Sequence, residues 1–374
     1  MMRTPIHFGE DLGLQRGGSG PGEKERMAQG VLRRIHYLGE ELPDLVEDSG
    51  MKIRAKVLGA GGCGCNSINR LKDRDVDTVE LVAINTDVQK LYMIAADRKL
   101  LLGQNILHGL STGGSPFIGR KVARAARKDI DSILKGTDVV FLVTGLGGGT
   151  GSGAAPEIAS RARLMGAVTI GLVVVPFSAS GRLHRRRAER ALRQLRRDLD
   201  AMIIVPNDHL LEVHPSVPVD KAFGMVDEAL RSIVVGISRG MTRASLHDLR
   251  RALGHCEVVL GLGRSEDIGE AVDQAVEWPL SEYGLEGNDP VLAFLEGGIE
   301  LDRGAAEGAM ARLMDQLGTG RNYYWAADQG LKAKGTSSVT LVIPASSIRR
   351  EEPTAMEDWI PAVDGASLMG PERI

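Results

Sequence analysis

The sequence predicts an α/β protein in which a parallel-sheet domain is joined by a long central helix to a smaller α+β domain. Apolar runs such as Val139–Val143 and Val168–Val175 alternate with segments of helical spacing from residue 51 onward. Nearly continuous apolar strands between helices are typical of a parallel sheet that is covered on both faces. The length of 374 residues suits two domains better than one.

Five parts follow one another along the chain. They are an N-terminal extension (residues 1–50) with a Gly-rich, partly disordered segment and a docking helix, the parallel-sheet domain (51–219), a central helix with its following loop (220–254), the α+β domain (255–345) and a flexible polar tail (346–374).

Composition excludes several classes of protein. Three Cys in so long a chain argue against a disulfide framework and for a reducing compartment. The longest apolar stretch, near residues 168–177, is far too short to span a membrane, and the N-terminus lacks an apolar signal core. Aromatic residues make up only 4%, which counts against a platform that stacks nucleic-acid bases. We therefore expect a cytoplasmic protein without a transmembrane segment.

A dense glycine loop follows the predicted strand Val139–Val143. It reads Gly145-Leu-Gly-Gly-Gly-Thr-Gly-Ser-Gly153 and precedes the start of a helix. Glycine lets a ligand approach the backbone, and the unpaired N–H groups at a helix N-terminus attract anions. No Lys follows the glycines, so this is not the GxxxxGK[ST] phosphate loop. Backbone N–H groups and the hydroxyls of Thr150 and Ser152 are predicted to hold phosphate instead.

A second glycine loop, Gly59-Ala-Gly-Gly-Cys-Gly-Cys-Asn66, follows the first predicted strand. Its spacing also fits G-x-G-x-x-G, which leaves a dinucleotide-binding oxidoreductase as an alternative. The strands of a parallel sheet end at one edge, so both loops are expected to point at one ligand. A third segment, Leu110–Pro116, adds hydroxyls and amides. The denser loop at residues 145–153 favours a ligand with two or three phosphates over a dinucleotide.

Together these segments resemble the tubulin/FtsZ superfamily, on the FtsZ side. The stretches that carry the resemblance are, in order, Gly59–Asn66, Ala83-Ile-Asn-Thr-Asp87, Gly113-Gly-Ser-Pro116, Gly147–Gly153 and Ile204-Val-Pro-Asn207. The resemblance covers roughly residues 52–343. It implies a GTPase with GTP/GDP and Mg²⁺ as cofactors, and head-to-tail filaments of the protein with itself. Such filaments serve cell division or a related cytoskeletal task, in the cytoplasm at the division site.

The resemblance also assigns roles to individual residues. It implies that Asp87 acts near Mg²⁺ through water, that Phe223 stacks on guanine, and that Asp227 accepts hydrogen bonds from guanine N1–H and N2–H₂. Glu228 is the neighbouring alternative to Asp227, and Asn66 can equally serve as a helix N-cap. The expected nucleotide-binding residues are Gly61, Gly62, Cys63, Gly64, Asn66, Asn85, Asp87, Thr112, Gly113, Gly147, Gly148, Gly149, Thr150, Gly151, Ser180, His184, Asn207, Phe223 and Asp227.

Two departures from the family pattern stand out. Ser180 and His184 occupy positions where FtsZ has a Glu and an Arg near the ribose. FtsZ-like proteins hydrolyse GTP when the next subunit inserts a loop of the form N-x-D-x-x-D, whose carboxylates position the attacking water. Here Arg243 replaces the Asn, Ser245 replaces the first Asp, and only Asp248 remains as the expected catalytic residue, acting on the neighbouring subunit's GTP. We therefore expect GTP binding and assembly with slow hydrolysis. A nucleotide-binding regulator of another filament protein, which hardly hydrolyses GTP, is the alternative.

An Arg-rich segment, residues 182–197, has apolar positions at helical spacing, which predicts an amphipathic helix. The simplest interpretation is a solvated basic face. Because acids dominate residues 266–307, attraction between basic and acidic faces across a head-to-tail contact is a second interpretation. An acidic membrane surface or nucleic acid is a third, weaker interpretation, since no aromatic residues are interleaved with the arginines.

The polar tail contains two short patches that combine apolar and charged residues, Met356–Pro361 and Leu368–Ile374. FtsZ-like proteins often end in a peptide that docks on a membrane-anchoring adaptor. The resemblance therefore makes these patches candidate adaptor-binding motifs, with disorder as the plain alternative.

Overall fold

The structure is a computed structural model that describes residues 52–345, except for 75, 209–218, 242, 244–245, 255, 284–288, 299 and 330–334. The predicted N-terminal docking helix and the adaptor motifs of the tail lie outside the described residues. Among the described helices, none is long and apolar enough to cross a bilayer.

In the described part of the chain, ten strands form one continuous sheet. They are β1 (Ala55–Ala60), β2 (Glu80–Asn85), β3 (Arg98–Leu101), β4 (Val139–Gly145), β5 (Val168–Val175), β6 (Ala201–Pro206), β7 (Cys256–Ser265), β8 (Val291–Gly297), β9 (Tyr323–Gln329) and β10 (Ser337–Pro344). Their spatial order is β3-β2-β1-β4-β5-β6-β7-β10-β8-β9. Strand β10 runs antiparallel to both of its neighbours, and the other pairs are parallel. The predicted α/β class with a mainly parallel sheet is confirmed.

Helices cover both faces of the parallel half of the sheet. The described helices are α1 (Gly61–Leu71), α2 (Val88–Tyr92), α3 (Gln104–Leu107), α4 (Pro116–Ala125), α5 (Arg127–Leu134), α6 (Gly149–Leu164), α7 (Arg182–Asp198), α8 (Val219–Gly240), α9 (Leu246–Leu253), α10 (Ile268–Tyr283) and α11 (Arg303–Leu317). Helices α4 to α7 pack on one face of the sheet, and α1, α8 and α9 pack on the other. The long central helix expected from residue 220 onward is α8, with 22 residues.

The two faces of β4 explain why its first five residues, Val139–Val143, are all apolar. Phe141 and Val143 face the core shared with α1 and α8, whereas Val140 and Leu142 face the core shared with α6 and α7. All four side chains are at most 1% exposed. Full burial of one such side chain contributes about 1.5–3 kcal/mol. The strand is therefore fixed from both faces, and the loop that follows it starts from a rigid base.

A further core lies between α10, α11 and the strands β8 and β10. It corresponds to the predicted α+β part. Because β6 pairs directly with β7, the sheet passes from one predicted domain into the other without a break. The boundary placed near residue 255 stays a prediction.

Candidate functional site

A cavity of about 240 Å³ opens at the edge where the parallel strands end. Its walls are the glycine loop after β1, the residues after β2, the segment before α4 and the glycine loop after β4. The lining residues are Gly62, Cys63, Asn85, Asp87, Lys90, Ser111, Thr112, Gly114, Gly145, Gly148, Gly149, Thr150 and Gly151. The structure thus brings together the segments that were expected to share one ligand.

Close backbone packing holds these loops against one another. A Cβ atom on Gly149 would lie 2.0 Å from Thr112 Oγ1, and one on Gly61 would lie 2.9 Å from the Gly151 nitrogen. Gly61 also has a φ of +74°, which side chains rarely adopt. Thr86 Oγ1 and Thr150 Oγ1 lie 2.9 Å apart and link the end of β2 to the first turn of α6. Glycine at these positions is therefore a condition for building the cavity.

The cavity wall is rich in hydrogen-bond donors. Helices α1 and α6 begin there after Ala60 and Gly148, and neither of these N-caps has a side-chain hydrogen bond. The first-turn N–H groups of both helices are therefore available to an anion. Asn85 Oδ1 accepts from the Thr86 N–H at 2.8 Å, whereas the buried Asn85 Nδ2 has no hydrogen-bond partner among the described residues. Phosphate oxygens, which only accept, fit this set of donors.

The hydroxyl of Ser152 has a different role from the one expected. Ser152 Oγ accepts from the Gly147 N–H at 2.8 Å, and the side chain is buried. The Ser152 hydroxyl thus stabilises the glycine loop through a hydrogen bond inside it, and Ser152 does not line the cavity. Of the two hydroxyls expected to hold phosphate, only that of Thr150 belongs to a lining residue.

Asp87 and Lys90 form the charged part of the wall. Asp87 Oδ1 accepts from the Lys90 N–H at 3.1 Å and so caps α2, and Asp87 Oδ2 lies 4.0 Å from Lys90 Nζ. No cluster of three or more His, Cys, Asp or Glu side chains occurs in the part of the chain that the structure describes. Mg²⁺ in phosphate sites typically takes one or two protein carboxylates together with water and phosphate oxygens, and Asp87 fits that arrangement. Lys90 was missed by the sequence reasoning, although its place one turn after a capping Asp was a usable signal.

Cys63 fills space between the two glycine loops. Its Cβ would lie 2.5 Å from a Cβ placed on Gly145. Burial raises the pKa of the Cys63 thiol to about 11, although the nearby Arg70 acts in the opposite direction. The thiol is therefore neutral near pH 7 and adds no negative charge to a phosphate site. Cys63 thus acts as a small side chain that fills the space between the two loops.

The residues expected to bind the base lie on α8, beside α1. Asp227 is 1% exposed and forms an ion pair with Arg70 of α1. Glu228 accepts from Arg74 at 2.5 Å and from Arg231 at 2.7 Å. Burial acts to raise the pKa of Glu228, but the two arginines outweigh it and hold the pKa below its ordinary value. Each of the two carboxylates thus already has a cationic partner.

Ten of the expected residues do not line the cavity, namely Gly61, Gly64, Asn66, Gly113, Gly147, Ser180, His184, Asn207, Phe223 and Asp227. Asn66, Ser180 and His184 are exposed, and Phe223 packs partly buried against the core. Gly64 has a steric role, because a Cβ there would lie 2.2 Å from the Val143 carbonyl oxygen. Ligand contacts of these residues stay predictions.

The loop expected to act on a neighbouring nucleotide lies at the amino ends of the parallel strands, opposite the cavity at their carboxyl ends. Arg243 Nη2 is 3.0 Å from Asp138 Oδ1, and Asp138 directly precedes β4. Arg250 of α9 donates to the carbonyl oxygen of Gly166, which lies just before β5, at 3.0 Å. At roughly 3.3 Å per residue, the length of β4 separates this region from the cavity by about 20 Å. Asp248 belongs to α9, and its side chain lies outside the described part.

Fold and cavity define a phosphate-binding α/β protein that has no P-loop lysine. A family model described as Tubulin/FtsZ family, GTPase domain, matches residues 54–215. The chain is 36% identical to Cell division protein FtsZ 1 of Archaeoglobus fulgidus over 330 residues, which cover 86% of this chain and 89% of the relative. It is 39% identical to Cell division protein FtsZ 1 of Pyrococcus horikoshii over 269 residues, or 70% and 72% of the two chains. The chain belongs to the tubulin/FtsZ family.

A solved structure gives the same result. The FtsZ dimer (empty) of M. jannaschii matches with a TM-score of 0.74 and 29% identity, covering 90% of this chain and 100% of that chain. The expected family and GTPase class, with GTP and GDP as ligands, are confirmed. The expected role as a filament-forming cytoskeletal GTPase follows from this membership, and the dinucleotide oxidoreductase is set aside.

Proposed function

We propose that this protein binds GTP with Mg²⁺, assembles head to tail with copies of itself for cell division or a related cytoskeletal task, and hydrolyses GTP slowly. One observation carries the proposal: the nucleotide cavity and the Arg243 loop lie at opposite edges of one sheet. Because the two regions are about 20 Å apart within one chain, a chain cannot complete its own site. A second copy stacked along the strand direction brings one region onto the other.

The residues of the cavity supply binding and orientation. The unpaired N–H groups of α1 and α6, together with Asn85 Nδ2, hold the phosphates, and Asp87 holds Mg²⁺ through water. When bound, Mg²⁺ neutralises phosphate charge. Asp227 accepts from the guanine edge, and its ion pair with Arg70 opens or is shared when the base enters.

Slow hydrolysis follows from the loop that a neighbour presents. Arg243 and Ser245 stand where the family has an Asn and an Asp, and Asp248 is the remaining carboxylate. Arg243 is engaged with Asp138 of its own chain. Loss of one preorganised catalytic contact typically costs about 10²–10³ in rate. The chain thus keeps the residues of the nucleotide cavity, whereas its catalytic loop retains only one of the three family residues.

The relatives support the cellular role. The archaeal relatives bear the name cell division protein, and the solved relative of M. jannaschii is a dimer. We extend this to a position at the division site, with the tail patches Met356–Pro361 and Leu368–Ile374 as docking peptides for a membrane-anchoring adaptor.

The proposal is tested by two observations on the purified full chain. The first is the identity of the co-purifying nucleotide, and the second is electron microscopy with GTP and with a non-hydrolysable GTP analogue. We expect guanine nucleotide and filaments in both samples. Filaments that form only together with another filament protein would favour the regulator, for which the engagement of Arg243 with Asp138 is the supporting observation.

A further inference from the structure

One arginine of α7 lies against Gly114, a residue that lines the nucleotide cavity. A Cβ atom placed on Gly114 would lie 3.2 Å from Arg187 Nη1, so the guanidinium rests against the backbone of a lining residue. Gly114 has a φ of +75°, and it places no side chain between Arg187 and the cavity. Arg187 is half-buried, whereas its neighbour Arg186 is exposed to solvent.

The charge of Arg187 is not neutralised by a nearby acid. Among the described residues, no carboxylate forms an ion pair with Arg187, whereas Arg196 of the same helix pairs with Glu257 at 2.5 Å. Arg120 and Arg124, from the adjacent α4, share Glu157. Within the described part of the chain, Arg187 is thus a cation without an ion-pair partner, and it lies beside an anion site, where a guanidinium can donate two parallel hydrogen bonds to a phosphate.

The positions of the helices on the two faces of the sheet determine which phosphate of a bound nucleotide lies next to Arg187. Asp227 lies on α8, which packs on one face of the sheet, while α4 and α7 pack on the other. A nucleotide whose base lies at Asp227 must direct its phosphates across the strand ends, past Gly62 and Thr150, towards the segment Ser111–Gly114. The phosphate farthest from the base therefore reaches Gly114, next to Arg187.

We propose, on the basis of the nucleotide site proposed above, that Arg187 binds the terminal phosphate of a nucleoside triphosphate and makes the protein favour triphosphate over diphosphate. A diphosphate ends one phosphate short of Gly114 and makes no such contact. The preference is therefore a difference between two ligands and not a general gain in affinity. It gives the chain a direct means of distinguishing GTP from GDP before any neighbour binds.

The test is equilibrium binding of GDP and of a non-hydrolysable GTP analogue, with Mg²⁺, to the full chain at protein concentrations below assembly. The variants are R187Q and the matched control R186Q, which removes the adjacent exposed charge. Hydrogen bonds to charged groups are among the stronger ones, so we expect R187Q to weaken analogue binding by about tenfold or more and to leave GDP binding within about twofold. R186Q is expected to match the wild type, and thermal melting checks that both variants fold.

An unchanged analogue-to-GDP ratio in R187Q, equal weakening of both ligands, or the same loss in R186Q would overturn the assignment of Arg187. Binding of neither nucleotide by the wild type is a separate outcome. It would refute the proposed nucleotide site itself, and the role of Arg187 with it.

Discussion

Arg243 and Asp138 form an ion pair of 3.0 Å at the sheet edge opposite the nucleotide cavity. Asp138 is buried and also accepts from the Arg54 N–H at 2.9 Å. In the family, residues of this loop position the attacking water. Here an arginine occupies the loop and is held in place by its ion pair with Asp138. In the proposed function, binding and catalysis are therefore separable in one chain, since each depends on a different end of the parallel strands.

Restoring the family residues is expected to restore hydrolysis. The double variant R243N/S245D returns an amide and a carboxylate to the loop, and we expect phosphate release under assembly conditions to rise by about 10- to 100-fold. Half-exposed ion pairs contribute little, and Asp138 keeps Arg54, so the free energy of unfolding should fall by no more than about 1 kcal/mol. R251N, at an exposed position of α9, is the control and should leave the rate unchanged. A double variant that assembles and still turns over at the wild-type rate would contradict this explanation.

Gly149 is expected to tolerate no side chain. In G149A the new methyl group would lie 2.0 Å from Thr112 Oγ1 and 2.7 Å from the Ser115 nitrogen, so the two loops must separate. We expect nucleotide affinity to fall by at least about tenfold, with destabilisation of about 1–3 kcal/mol from overpacking. In the control G308A, within α11, the new methyl group meets no atom within 4 Å, and replacing a helical Gly by Ala should stabilise the chain by about 0.4–1 kcal/mol. Calorimetric titration and thermal melting measure both effects; normal nucleotide binding by G149A would show that the loops adapt.

The Cys63 thiol is expected to react slowly at neutral pH. Its pKa is raised to about 11 by burial, and the thiolate is the reactive form. The alkylation rate at Cys63 should therefore increase about tenfold per pH unit between pH 7 and 10, and it should fall when nucleotide fills the cavity. Tandem mass spectrometry after timed iodoacetamide labelling distinguishes Cys63 from Cys65, which lies on the same tryptic peptide. A rate that levels off near pH 8.5, the behaviour of an ordinary thiol, would disagree with a buried Cys63.

Asp227 rather than Glu228 is expected to accept the hydrogen bonds of the guanine base. Inosine triphosphate lacks the exocyclic N2 amino group, so the ratio of GTP to ITP affinity isolates a contact to that group. We expect D227A to remove most of the preference for GTP, whereas E228A should keep it, because Glu228 is held by Arg74 and Arg231. Competition binding with both nucleotides measures the ratio. The reverse pattern would assign the base contact to Glu228.

Sequence reasoning predicted the sheet, its helices and the meeting of three loops, because these depend on periodic apolar residues and on glycine. It expected Asn85, Asp87, Thr112 and Thr150 to share one ligand, and the structure places all four in the wall of one cavity. It could not predict the partners of long charged side chains, which depend on where distant helices pack. The pairing of Arg70 with Asp227 and the contact of Arg187 with Gly114 are of this kind. Ser152 shows the same limit, since its hydroxyl turns inward to the Gly147 N–H.

The most decisive measurement is phosphate release by the wild-type chain on filaments that microscopy has verified in the same sample. We predict tight GTP binding and filaments, with turnover about 10²-fold or more below that of a family member with an intact N-x-D-x-x-D loop measured alongside. Turnover equal to that reference would contradict it, because the Arg243–Asp248 loop would then be catalytically sufficient.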